Sequence, residues 1–173
     1  MIVRDKRELD TIRKNLYYSA EQAVLNIKLC AEQNDALGLL SVMKFGELGV
    51  DPLKGTSLNL IEQLNMLFTN LVITIAAEKL MERYPDKAFE LHMGTEAGYD
   101  VESVDGEVVA ECFAVTRAAS NGKLKKDSEK LIAKAGVQKK YIIFYSEHDT
   151  DSSLERVYDK FPEITYVRIK KLI

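Results

Sequence analysis

Apolar residues return every third or fourth position from Leu9 through Ile12, Leu16, Ala20, Ala23 and Ile27 to Cys30, which marks one buried face on a long helix from about Asp5 to Gln33. Asn34-Asp35 breaks it, a shorter helix runs from Ala36 to about Phe45, and Gly46, Gly49, Pro52 and Gly55 punctuate a loop. The helical period resumes at Leu60, Leu64, Leu67, Leu71 and Ile75, on a third helix that Thr56 or Ser57 can cap and that Pro85 stops after about Arg83. Continued by three and four, this stripe carries Glu78 and Glu82 onto the core face. There a carboxylate is paired, hydrogen-bonded or metal-bound, unless the helix end protrudes into water. The β-branched residues between Leu71 and Ala77 leave a strand as the alternative for that stretch.

Beyond Pro85 the period shortens to two. Ala88 to Met93 predicts a strand, and the run from Gly98 to Phe113 predicts a hairpin closed by Asp105-Gly106 as a two-residue turn of the primed type. Closure there sets Val104 against Glu107, Glu102 against Val109 and Asp100 against Glu111. Tyr99, Val101, Ser103, Val108, Ala110 and Cys112 then share one face, and Asp100, Glu102, Val109, Glu111 and Phe113 the other. Ser120 or Asn121 caps a further helix to about Ala135, ended by Gly136, with Leu124, Leu131, Ile132 and Ala135 on its apolar side and Lys123, Lys126, Lys130 and Lys134 spaced along one face. Lys139 to Ser146 predicts a buried strand, Asp151 or Ser152 opens a helix to about Phe161, and Ile164 to Ile169 predicts a last strand. The expected class is α/β: a mixed sheet flanked by helices, with an N-terminal helical extension over 1–52 and a core over 53–173.

With 173 residues, 46% hydrophobic and 29% charged, the chain can bury a core, and nothing suggests disorder. The opening residues have no apolar run of the secretory kind and Leu71 to Ala77 is too short to span a bilayer, so a cytoplasmic location and no membrane partner are expected. Cys30 and Cys112 form no CxxC pair, two histidines are too few for an all-protein zinc site of the usual type, and neither GxGxxG nor a P-loop is present, so no nucleotide cofactor is expected. A net charge of -3 argues against adhesion to nucleic acid by bulk charge and leaves room for a local basic surface.

The chemistry concentrates in the hairpin. Two carboxylates directly opposite each other, with Cβ atoms about 5 Å apart, destabilise a sheet unless something positive sits between them. A hard divalent cation is one candidate, since such ions bind one or two carboxylates with waters and phosphate oxygens; a solvated polar face is the plainer reading. Lys123 falls in the first turn of its helix, where a cation opposes the helix dipole, which invites a functional explanation.

Asp100 on a second strand and Glu111 after ten intervening residues on the third, within the order helix, three strands, helix, strand, helix, strand, resemble the PD-(D/E)XK nuclease superfamily, the restriction-endonuclease-like fold. The resemblance covers roughly Ser57 to Ile169 and implies an αβββαβαβ core in which Asp100 and Glu111 bind Mg²⁺ (or Mn²⁺) and Glu78 or Glu82 assists from the preceding helix. Tyr99 replaces the Pro of the motif, a change the family tolerates. The expected lysine, two residues after the second acid, is replaced by Phe113. Either the lysine has moved, with Lys123 as the candidate and Lys125 and Lys126 behind it, or the site has lost catalysis and kept the fold.

The resemblance thus implies a metal-dependent nuclease, a hydrolase of phosphodiester bonds in DNA, with Asp100, Glu111, Lys123 and Glu78 as catalytic residues. Lys125, Lys126, Lys130, Lys139 and Lys140 would grip the phosphate backbone without reading sequence. The alternatives are an inactive module on the same fold that binds nucleic acid or a protein partner, and a structural assembly protein driven by the N-terminal helices, which also offer a homodimer surface.

Overall fold

The computed structural model describes residues 1–94, 98–118 and 122–172. In chain order the elements are β1 (Ile2–Val3), α1 (Lys6–Gln33), α2 (Ala36–Phe45), β2 (Gly49–Val50), β3 (Ser57–Leu58), α3 (Leu60–Arg83), β4 (Phe89–Leu91), β5 (Val101–Ser103), β6 (Val108–Val115), α4 (Lys123–Ala133), β7 (Lys139–Ser146), α5 (Asp151–Tyr158) and β8 (Ile164–Ile169). They form an α/β protein with a mixed sheet of order β1-β4-β5-β6-β7-β8 and a separate β2-β3 ribbon. The pairs from β1 through β6 are antiparallel, and β6-β7 and β7-β8 are parallel.

Two compact units divide the chain, Met1–Leu9 with Val72–Ile173, and Asp10–Leu71. The sequence suggested a boundary between residues 52 and 53. The units part inside α1 and α3 instead, because both helices continue from one unit into the other.

In the sheet unit, β7 lies between two parallel partners, and Tyr141, Ile142, Ile143 and Phe144 are all buried, which explains its unbroken apolar run. One face of the sheet packs Val109, Phe113 and Phe144 against Leu124 and Leu131 of α4 and Leu154 of α5. Each such side chain contributes roughly 1.5–3 kcal/mol on burial. Thr150 and Ser153 form a reciprocal capping box that starts α5.

In the other unit, a polar brace holds α1, the ribbon and the start of α3. Ser19 Oγ donates to the Val50 carbonyl (2.7 Å), Gln63 Nε2 donates to Ser19 Oγ (2.7 Å), and Gln63 Oε1 accepts from the Val50 amide (3.1 Å). Every residue of α2 stays at least partly exposed, despite its apolar composition.

The third helix forms as expected, the alternative strand does not, and several finer expectations need correction. Leu71 to Ala77 is helical, inside the 24-residue α3, which is long and apolar enough to cross a membrane by length and composition; 56% of its most apolar window is buried, as suits a core helix. Asn59, not Thr56 or Ser57, caps α3 through the Ile61 amide (2.9 Å), because Ser57 is taken up in β3. Leu64 is exposed and the buried side of α3 runs through Ile73, Ala77 and Leu80, so Glu82 is left on the surface. α4 ends at Ala133 rather than Ala135 and α5 at Tyr158 rather than Phe161. Ser120 and Asn121 lie outside the described residues, and Gly122 at φ 68° occupies the cap position of α4.

The hairpin keeps its register, with Glu102 opposite Val109 and Val101 opposite Ala110. The turn is different in kind. Gly106 N donates to the Ser103 carbonyl (2.7 Å), so Val104 and Asp105 are the central residues, and Gly106 follows in the left-handed region at φ 75°. Among the described residues only glycines have positive φ, which excludes a primed turn centred on Asp105 and Gly106. Tyr99 also changes sides, packing in the cluster with Val109, Phe113 and α4.

Candidate active site

The register that aligns Val101 with Ala110 carries Asp100 opposite Glu111 one step further along, just past the end of β5. Both carboxyls are on the face that α4 covers. Asp100 Oδ2 accepts from the Cys112 backbone amide at 2.6 Å, which fixes its orientation. Glu111 is 3% exposed. Lys130 Nζ approaches Glu111 Oε1 to 2.5 Å as an ion pair, but without hydrogen-bond alignment, so that buried oxygen accepts no hydrogen bond.

A third acid joins them from α4. Asp127 is buried, its Oδ1 accepts from Lys123 Nζ at 3.1 Å, and its Oδ2 makes the ion pair at 3.0 Å while accepting no directed hydrogen bond. Sequence reasoning missed Asp127, although it lies three residues after Leu124 and four before Leu131, on the apolar stripe of its helix. An acid on such a stripe is the same signal that singled out Glu78 and Glu82, and here it points to the right place.

Lys123 Nζ lies 5.8 Å from the centre of the Phe113 ring, and that ring stacks on Phe144 at 5.1 Å. The residue at the motif-lysine position is therefore part of the core, and an amine from α4 reaches over it. Further along α4, Lys130 and Lys134 lie 4.9 and 4.6 Å from the centre of the Tyr99 ring, Lys130 Nζ donates to the Gly98 carbonyl (2.8 Å), and Lys134 Nζ donates to Glu102 Oε1 (2.8 Å).

Burial raises the Asp100 pKa, opposed by the Cys112 amide and by Lys123 and Lys130. Burial likewise drives Glu111 to about 7, with Lys130 opposing and Asp100 and Asp127 adding to the rise. Asp127 is raised by burial against the pull of Lys123. For Lys130, burial pulls downward, but Glu111, Asp100 and Asp127 outweigh it and hold the ammonium above its ordinary value. The Cys112 thiol is pushed well up by burial and by the neighbouring acids, so it is a packed, un-ionised side chain.

Asp100, Glu111 and Lys123 thus fall in one neighbourhood. Glu78 is held by Lys6 of α1 at 2.5 Å, and Glu82 points to solvent. Lys130, expected to grip a phosphate backbone, is committed to Glu111. Lys126 is exposed, Lys125 makes a loose exposed pair with Glu129 at 3.7 Å, Lys139 is exposed, and Lys140 donates to the Ile132 carbonyl at 3.4 Å.

For a metal, the donor set is all oxygen, which suits Mg²⁺ or Mn²⁺, and an ion at Glu111 Oε1 would take the place that the Lys130 ammonium holds at 2.5 Å. Among the described residues no three His, Cys, Asp or Glu side chains are gathered into a ready-made metal cage. Asp100 and Glu111 fit the two-carboxylate mode completed by water and substrate oxygens. No protein-family model, curated protein or solved structure matches the chain.

Proposed function

We propose that the chain is a metal-dependent nuclease of the PD-(D/E)XK kind that hydrolyses phosphodiester bonds in DNA, with Asp100 and Glu111 holding a Mg²⁺ or Mn²⁺ ion. The observation that supports it most is the meeting of the buried Glu111 and the half-buried Asp100 with the Lys123 amine, which reaches over Phe113, on a sheet whose order runs antiparallel then parallel. Burying like charges side by side costs several kcal/mol unless the site uses them.

Each residue has a definable task. The Cys112 amide aims Asp100, and Glu111, with a pKa of about 7, can hold or release a proton near neutrality. Asp127 anchors Lys123 so that its charge faces the acids and can meet negative charge developing on a phosphoryl oxygen. When bound, the ion supplies Lewis acidity and lowers the pKa of water.

The test is nicking of supercoiled plasmid in Mg²⁺ and in Mn²⁺. Asp100→Ala and Glu111→Ala are expected to abolish cleavage with unchanged circular dichroism, and Lys123→Ala to slow it by on the order of 10²–10³-fold. Cleavage that survives both acid substitutions would end this reading.

One observation favours a second reading. Lys130 already compensates Glu111 and Phe113 fills the usual lysine position, so Glu111 has its counter-charge without a metal. On that account the chain is an inactive module of the same fold. It would retain DNA without turnover in either metal, and binding would be indifferent to Lys123→Ala.

A further inference from the structure

The unit Asp10–Leu71 carries a second apolar face that its own fold leaves uncovered. On α1, opposite the buried stripe formed by Ile12, Leu16 and Ala23, the side chains of Tyr17, Tyr18, Val24, Leu25 and Leu29 are 49–61% exposed. On α2, Leu37, Leu40 and Phe45 are 60–77% exposed. With a fully exposed large apolar side chain presenting on the order of 200 Å², the five on α1 alone offer roughly 500 Å² per copy, more than half of the about 800 Å² per partner that a stable interface buries. Scattered exposed leucines need no explanation, but an apolar surface of this size does.

The charges on the α1 stripe indicate what covers it. Tyr17, Glu21, Val24, Leu25 and Lys28 line one shallow depression of about 410 Å³. Glu21 and Lys28 are exposed, two helical turns apart, and placed symmetrically about the midpoint between Val24 and Leu25. If two α1 helices pack antiparallel about a two-fold axis at that midpoint, Glu21 of each copy meets Lys28 of the other, and Val24 meets Leu25. A helix face whose apolar centre is bracketed by charges of opposite sign at equal distances complements itself under two-fold rotation, as an isologous interface requires.

We infer that the partner of this face is a second copy of the chain, docked through an antiparallel pair of α1 helices centred between Val24 and Leu25. The surface lies outside the acid cluster, so the inference stands independently of the nuclease reading.

The experiment is sedimentation equilibrium on the full chain at micromolar concentration, with the fold of each variant checked by circular dichroism. The wild type is expected at twice the 19.6 kDa chain mass, and Leu25→Glu at the single mass. Glu21→Lys alone and Lys28→Glu alone should each weaken association about tenfold or more, and the double exchange should restore it. A monomeric wild type would overturn the inference, and if that monomer floated with lipid vesicles the face would belong to a membrane surface instead. A dimer indifferent to both single reversals, or one that the double exchange does not restore, would overturn it equally.

Discussion

Glu111 is almost wholly covered, stands beside two other acids, and has a pKa raised by burial to about 7. Because the folded value lies above the ordinary 4.5, the folded chain binds this proton more tightly than the unfolded chain does. The contribution to stability is therefore fully present below pH 4.5 and is lost as pH rises through about 7. Glu111→Gln cannot ionise and so should not suffer that loss. At pH 8 it is expected to be more stable than the wild type by roughly 1–3 kcal/mol, and near pH 4 about equal to it. Urea denaturation at the two pH values measures this; parallel stability curves for the two proteins would contradict it. The same scale shows why Asp100 and Glu111 were legible and Glu78 was not. A hairpin register follows from local sequence, so both acids could be paired on paper. Helical spacing shows only which face Glu78 occupies, and its partner Lys6 is supplied by a helix far away in the chain.

At the scale of elements, the hairpin turn is the device that aligns the acids. The Asp-Gly dipeptide predicted a turn centred on itself, whereas the chain turns one residue earlier. Ser103 Oγ donates to Asp105 Oδ1 (2.6 Å) and accepts from the Val108 amide (2.9 Å), and Lys87 pairs with both Asp105 and Glu107. These contacts hold the loop in its shape, and Gly106 takes the left-handed position that closes it. Gly106→Ala adds a methyl into open space, its nearest neighbour being Glu102 Oε1 at 4.0 Å, so the cost comes from backbone conformation alone. A loss of about 1–2 kcal/mol is expected. Gly106→Asn should lose less, because Asn tolerates positive φ better than Ala. Thermal unfolding of the three proteins reads this directly, and an unchanged midpoint for the Ala variant would show that the turn has relaxed elsewhere. Elements with a sustained period, such as α1, α2, β7 and β8, were readable almost to the residue. The two-residue strands β1, β2 and β3 were not, since two residues define no period and their pairing depends on partners elsewhere in the sequence.

For the molecule as a whole, 24 basic against 27 acidic residues mean that any grip on DNA is local rather than a property of net charge. The lysines nearest the acids are already engaged: Lys123 by Asp127, Lys130 by Glu111 and Lys134 by Glu102. Exposed Lys125, Lys126 and Lys139 keep their charge available to solvent, so phosphate contacts are expected from them. Binding of a DNA duplex, followed by fluorescence anisotropy on the Asp100→Ala background over a salt series, separates the two groups. Each phosphate contact removed should flatten the dependence of log affinity on log salt by about one. Lys125→Ala, Lys126→Ala and Lys139→Ala should therefore each weaken binding and reduce that slope. Lys134→Ala breaks an ion pair with Glu102 and a contact with the Tyr99 ring, both within the protein, and should leave the slope nearly unchanged. If all four substitutions behave alike, the engaged lysines exchange their carboxylate partners for phosphate on binding. If the three exposed lysines change neither affinity nor slope, the DNA does not lie along the exposed face of α4 and the start of β7, and the nuclease reading loses the surface on which its substrate was to rest.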